Sequence, residues 1–186
     1  MQRITGIVAL VLLLFAAGAV QAQDSVRPRP EIGFRGGLTI FREDGSSFSV
    51  LSFPAGNFFT AGTVYATMFA APTLALEPQV GILRIGTESG SSGLFTAAFQ
   101  VNQFFRDPSA GSVFGLLNVG FTTGFGSGSS DSIYAAGGGA GYRTIVSETL
   151  GVRLEGRYRR LFSDEGTGMN EFSVLVGLGA VLGSSR

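Results

Sequence analysis

The sequence predicts an all-β chain that closes into an eight-stranded antiparallel up-and-down β-barrel, and three observations carry that prediction. Apolar and polar residues alternate with a period of two along about eight segments. Connections between those segments alternate between short and long. After residue 22 no apolar run approaches the roughly 20 residues that a spanning helix needs. The alternation is sharpest in LGVRLEGRYRRL at 150–161, where Val152, Leu154 and Tyr158 interleave with Arg153, Glu155, Arg157 and Arg159.

Residues 1–22 read as a cleaved secretory signal peptide. Arg3 precedes an apolar run from Ile7 to Val20, and Val20-Gln21-Ala22 is a small-x-small cleavage site. Residues 23–30 (QDSVRPRP) form a polar, proline-bearing lead-in expected to stay extended and unpaired. Residues 31–183 are the barrel.

The first strand, Glu31–Arg42, sets Ile32, Phe34, Leu38 and Ile40 against Gly33, Arg35, Gly37 and Thr39. A long connection is expected from Glu43 to Asn57. Phe58–Phe69 then forms a hairpin with Leu74–Ile85 across residues 70–73. In the latter strand Leu76, Pro78, Val80 and Ile82 oppose Glu77, Gln79 and Gly81. Pro78 has no N–H to donate, so an edge or a bulge is expected there. After a loop at 87–93, Leu94–Arg106 sets Phe95, Ala97, Phe99 and Val101 against Thr96, Ala98, Gln100 and Asn102.

Asp107–Gly111 turns the chain into Ser112–Phe125, and GSGSSDS at 126–132 leads to the glycine-rich strand Ile133–Arg143. Residues 144–149 precede the strand of sharpest alternation, 163–170 form a polar loop, and Glu171–Gly183 is the eighth strand. A soluble barrel would turn its charges outward. Short turns alternating with longer polar loops instead fit a transmembrane barrel with its charges inside and periplasmic termini. At eight strands the interior fills with side chains, so a lumen network of Arg35, Glu77, Gln79, Gln100, Asn102, Arg153, Glu155, Arg157 and Arg159 is expected. Aromatics near strand ends, from Phe41 and Phe69 to Phe162 and Phe172, suggest interfacial girdles.

Composition narrows the chemistry. Histidine and cysteine are absent, which removes Ser-His-Asp and Cys-His nucleophilic arrangements, the HExxH zinc motif and disulfide staples. The formal net charge is zero, so there is no electrostatic case for nucleic acid. All 13 basic residues are arginine. GGGAG at 137–141 lacks the lysine of a phosphate loop and reads as strand glycine. The loop carboxylates Glu43, Asp44, Asp164 and Glu165 are either solvated loop charges or a divalent-cation bridge to lipopolysaccharide phosphates. No catalytic residue, cofactor or metal site is expected.

EIGFRGGLTIF, FTAGTVYATMFAAPTLALEPQVGIL and GYRTIVSETLGVRLEGRYRRLF followed by NEFSVLVGLGAVL resemble the small outer-membrane β-barrel family, the OmpA-like and OmpX-like transmembrane domains. The resemblance spans the predicted mature chain. It implies a non-enzymatic, monomeric integral protein of the bacterial outer membrane, with a polar, largely occluded lumen and a role in envelope structure or surface interaction. Its implied partners are outer-membrane lipid, lipopolysaccharide and the barrel-assembly machinery. Members often end in an aromatic residue that the machinery reads. This chain ends LGSSR, which leaves Phe172–Leu182 as an internal signal. Enzymes of similar architecture, lipid A acyl-hydrolases and omptin-type proteases, use histidine. A soluble periplasmic lipocalin-like carrier of an apolar ligand and a narrow passive channel are the alternatives. Arg153 and Glu155 in the lumen favour the membrane, and Val152 and Leu154 there favour the carrier. Cleavage after Ala22 predicts an intact mass for the exported protein that begins at Gln23, and mass spectrometry of envelope fractions measures it.

Overall fold

The computed structural model describes residues 28–43, 46–52, 63–87, 90–109, 111–126, 132–163 and 168–183. The predicted signal peptide, most of the lead-in, Phe58, Asp44, Asp164 and Glu165 lie outside the described residues. The strands are β1 (Glu31–Glu43), β2 (Ser46–Ser52), β3 (Val64–Ala71), β4 (Leu74–Thr87), β5 (Gly90–Phe104), β6 (Ser112–Gly126), β7 (Ser132–Ser147), β8 (Leu150–Ser163) and β9 (Gly168–Val181). From β3 to β9 each strand pairs antiparallel with the next, and β1 pairs β9 over Glu31–Arg42, which closes the sheet.

Nine strands fill eight positions because β2 and β3 stand in line beside β1. β2 pairs with Gly37–Glu43 and β3 with Glu31–Phe34. Arg35 and Gly36 fall between the two sets of partners. The architecture is thus a closed eight-stranded antiparallel up-and-down barrel, with β1 starting and β9 ending at one rim, the turn end. The opposite rim is the loop end.

Several local expectations are corrected. The predicted second strand at 58–69 starts later, at Val64, and the expected long connection at 43–57 contains β2, joined to β1 through residues 44 and 45 alone. The expected loop at 87–93 shrinks to 88–89. Loop-end connections are therefore not systematically longer, since 72–73 and 148–149 at the turn end are matched by 44–45 and 88–89. The physical reason is that a ladder is built from backbone groups. Serine and glycine runs such as Ser46–Ser49 and Gly90–Gly93 can extend it beyond the apolar belt.

Pro78 is in an interior strand, not at an edge. Its register with Phe99 on β5 is unbroken, but the β3–β4 register skips from Tyr65↔Gln79 to Met68↔Leu76, where Pro78 lacks a donor. The bulge lies instead between Phe69 and Ala71. The last residues of the lead-in are also not unpaired. Pro30 O accepts from Leu182 N at 2.8 Å, and the Arg29 guanidinium donates to Gly183 O and Glu148 O at 2.8 and 2.6 Å. These bonds tie the entry of β1 to the exit of β9 and to the β7–β8 turn.

Side-chain burial follows the alternation with inverted polarity. Val80, Val119, Leu154 and Val174 are exposed, whereas Arg35, Glu77, Gln100 and Glu155 are buried. The lumen is capped by apolar clusters. Ala75, Phe104, Phe114 and Leu116 pack near the turn end, with Phe69 against them, and Phe41, Ala135 and Leu161 pack near the loop end. Phe41 and Phe69 thus serve the interior, contrary to their expected place in a girdle. Phe105, Phe125, Tyr134, Tyr142, Phe162 and Phe172 are exposed.

Inward glycines make room for the long side chains. A Cβ on Gly177 would lie 2.5 Å from Arg153 Cγ, and one on Gly139 would lie 2.0 Å from Gly156 O. At Gly111 a φ of +95° adds a conformational demand that glycine meets. Valine is a good strand former, so a cost at Gly139 reports the clash and not propensity. Gly139→Val is expected to destabilise the folded barrel by ~3 kcal/mol or more, and outward Gly156→Ala by well under 1 kcal/mol, measured by urea unfolding in detergent micelles.

Candidate functional site

The lumen brings most of the sequence-predicted polar residues into one connected network. Because β8 alternates, Arg153, Glu155 and Arg159 face inward while Leu154 and Tyr158 are exposed outside. Arg153 is the hub. Its Nη1 donates to Glu77 Oε2 at 2.6 Å and to Glu155 Oε1 at 3.3 Å. Its Nη2 donates to Glu31 Oε1 at 3.2 Å and to Thr67 Oγ1 at 3.0 Å. Arg35, from β1, donates through Nε to Glu155 Oε1 at 3.1 Å and through Nη2 to Glu77 Oε1.

Glu77 is the acidic counterpart. Besides the two arginines it accepts from Thr67 Oγ1 at 2.8 Å, Gln79 Nε2 at 3.1 Å and Asn102 Nδ2 at 3.4 Å. Gln100 links the amides, accepting from Gln79 at 3.3 Å and donating to Asn102 at 2.8 Å. A second, smaller cluster lies nearer the loop end. Arg159 binds Glu171 through two parallel bonds of 3.0 and 2.7 Å, reaches Asn118 Oδ1 at 3.3 Å, and Ser173 supports Glu171 at 2.9 Å.

Arg157 is the exception among the predicted residues. Alternation gives it the lumen face, but it forms no ion pair among the described residues, and its buried Nε has no partner there. Inside the barrel Glu31, Glu77, Glu155 and Glu171 face Arg35, Arg143, Arg153, Arg157 and Arg159, one guanidinium more than carboxylates.

Sequence reasoning missed Glu31, Tyr65, Thr67, Asn118, Arg143 and Glu171. Tyr65 is 1% exposed, lies under both Arg35 and Arg153 with each guanidinium carbon 4.4 Å from its ring centroid, and donates to Glu31 Oε1 at 2.6 Å. Arg143 pairs with Glu31 at 2.8 Å and donates to Pro108 O at 2.9 Å, fastening the β5–β6 turn to the network. The signal for these residues was the same alternation followed to the strand ends. Arg143 and Glu171 both fall in phase with inward neighbours.

Chemically the lumen is a set of paired charges with Arg157 in excess. Each carboxylate already accepts from a guanidinium, which leaves no free base beside a nucleophile. Among the described residues no group of three or more His, Cys, Asp or Glu could hold a metal ion.

No protein-family model and no curated protein matches the chain. Among solved structures it is similar to Neisserial surface protein A, with TM-score 0.55 and 11% identity over 82% of this chain and 97% of that one. Further matches are Ail, the attachment invasion locus protein of Yersinia pestis, with TM-score 0.48, 13% identity and 84% and 100% coverage. The outer membrane protein OprG from Pseudomonas aeruginosa matches with TM-score 0.46, 12% identity and 86% and 99% coverage. At such identities the likeness is one of fold, and the first of these carries it.

Glu77→Gln strips a charge from between Arg35 and Arg153 and is expected to cost ~3–5 kcal/mol, as breaking a buried ion pair does. Tyr65→Phe keeps the ring and loses one bond to a carboxylate, for about 1.5–3 kcal/mol. Urea unfolding of the refolded variants in micelles measures both, and the order is expected to be Glu77→Gln below Tyr65→Phe below wild type in stability.

Proposed function

We propose that the chain is a non-enzymatic integral protein of the bacterial outer membrane, with an occluded polar lumen and a role in envelope structure or surface interaction. The observation that carries this reading is the inverted polarity of a closed sheet. Leu154, Val174 and Val176 on the outer wall are about half exposed or more, while Arg153 and Glu155 inside are at most 2% exposed. In water that arrangement would waste apolar surface and bury charge, each at a cost. In a bilayer both become favourable, because the apolar wall meets acyl chains and closure leaves no free strand edge.

Occlusion rests on the same residues. The central ion pairs and the apolar clusters near both rims occupy the bore of an eight-stranded barrel, whose interior is just wide enough for side chains. Passive conduction would need this network to part. A carrier of apolar ligands would need an apolar lumen, and the hub arginines stand where its ligand would sit. Likeness in fold to Neisserial surface protein A supports the same reading. The barrel-assembly machinery would insert the chain, with both termini on the periplasmic side and the loop end outward.

Fractionation of expressing cells tests the proposal. The protein is expected in the outer-membrane fraction, with an unboiled sample migrating differently from a boiled one on a denaturing gel. Recovery in the soluble periplasm, with no heat-dependent shift, would refute it.

A further inference from the structure

The outer wall is not uniformly smooth. Across β7, β8, β9 and β1 lies a groove of about 400 Å³, walled by the outward Tyr158, Phe172, Ile40 and Leu38, floored by Gly156, and reaching Arg157 of the inward row. That volume lies within the ~300–1,000 Å³ of ordinary ligand sites. The groove exists because glycine occupies an outward position. A Cβ on Gly156 would meet only Ala140 O, at 4.0 Å, so the space above it is open.

The register places two cations directly above this groove. Arg160 on β8 and Arg42 on β1 are both partners of Asn170 on β9, and the next outward row toward the turn end is Tyr158, Phe172 and Ile40. With strands spaced ~4.8 Å apart, the two arginine Cα atoms are ~10 Å apart across β9. Arg160 Nη1 donates to Asn170 Oδ1 at 3.0 Å, and Tyr158 donates to the same oxygen at 2.8 Å. The guanidinium also lies over Gly168, where a Cβ would be 2.4 Å from Nη2, so it leans toward the loop end as a snorkelling arginine does. Neither Arg42 nor Arg160 forms an ion pair among the described residues. Of the adjacent carboxylates, Glu171 faces the lumen, where Arg159 holds it, and exposed Glu43 forms no ion pair among the described residues.

We propose that this wall binds one phosphorylated acyl lipid, its phosphate between Arg42 and Arg160 and an acyl chain along the groove over Gly156. The inference rests on the membrane reading above and deepens it by naming the lipid class and the residues. Charge complementarity selects the occupant. Two guanidiniums without carboxylate partners among the described residues, at the polar end of an apolar groove, match an anionic head joined to a hydrocarbon chain, and planar arginine suits phosphate oxygens. The loop end faces outward in that reading, so the lipid belongs to the outer leaflet, where the phosphorylated species is lipopolysaccharide.

The test is native mass spectrometry of the detergent-folded full barrel with bisphosphorylated lipid A as probe. Dephosphorylated lipid A, phosphatidylglycerol and inorganic phosphate are run in parallel. Wild type is expected to retain one lipid A and to retain the dephosphorylated form at least tenfold less. R42Q/R160Q should lower lipid A retention at least tenfold by removing the anion contacts, and G156L should do so by filling the groove. All variants are first checked for the heat-dependent gel shift, and the open space at Gly156 lets G156L fold. Equal retention by wild type and both variants, equal retention of the dephosphorylated lipid, or a preference for phosphatidylglycerol would overturn the proposal, as would inorganic phosphate binding that G156L leaves intact while lipid A is not retained. A barrel that fractionates with the outer membrane yet shows those results loses this inference alone. A chain absent from that fraction loses the membrane reading.

Discussion

Closure of the β1–β9 ladder is the constraint on which everything else depends. In the membrane reading proposed above, a sheet in hydrocarbon has no water to satisfy a free edge, so its first and last strands must find each other. Here they do so over twelve register partners from Glu31↔Val181 to Arg42↔Asn170. The same ladder carries Arg35 on one strand and Glu171 and Ser173 on the other into the lumen. Closing the backbone therefore also assembles the charges, and the bonds of Arg29 and Pro30 to Gly183 and Leu182 hold the seam at its turn end. Closure in turn fixes a narrow bore, and the narrow bore dictates which side chains can coexist inside it.

That bore explains the pairing of glycine with arginine. Large inward side chains on neighbouring strands cannot all fit, and the chain answers by setting glycine opposite its long residues. Arg153 pairs with Gly177, Arg157 with Gly139, Arg159 with Gly137 and Arg35 with Gly177. A Cβ at Gly137 would approach Arg159 Cγ to 2.9 Å, and one at Gly179 would approach the Glu31 side chain to 2.2 Å. Glycine within a strand ordinarily weakens it. Here the loss is offset by the volume it gives to ion pairs that would otherwise have no place. Gly137, Gly139 and Gly177 are thus a packing device for the lumen arginines opposite them.

Much of this was legible in the sequence because a strand in a barrel has only two faces and a period of two. From the alternation at 150–161 the inward residues of every other well-formed strand follow by parity, and Arg35, Glu77, Gln100, Asn102 and Arg159 are where parity puts them. What escaped has physical causes. Ser46–Ser52 forms a strand because it pairs with β1 through backbone groups, a tertiary fact that a serine-rich segment does not advertise. Tyr65 has its hydroxyl on Glu31 and its ring under two guanidiniums, an arrangement that needs the positions of three strands. Phe41 and Phe69 fall near strand ends like girdle residues, but their parity points inward, and parity decides the face.

An interior so fully committed shifts the question of function to the exterior. Glu31, Glu77, Glu155 and Glu171 are each held by arginine, and removal of a partner would strand a buried charge, so this network cannot be spared for binding without loosening the barrel. The outer wall is under no such restriction. In the proposed bilayer setting lipid tolerates any apolar surface, so a glycine at 156 in place of a larger residue has no packing reason inside the protein. Its added Cβ would meet nothing closer than 4.0 Å. Departures from a smooth wall that lie beneath unpaired outward cations are therefore where this fold is free to acquire recognition, and the row of Arg42, Asn170 and Arg160 above Gly156 is such a departure.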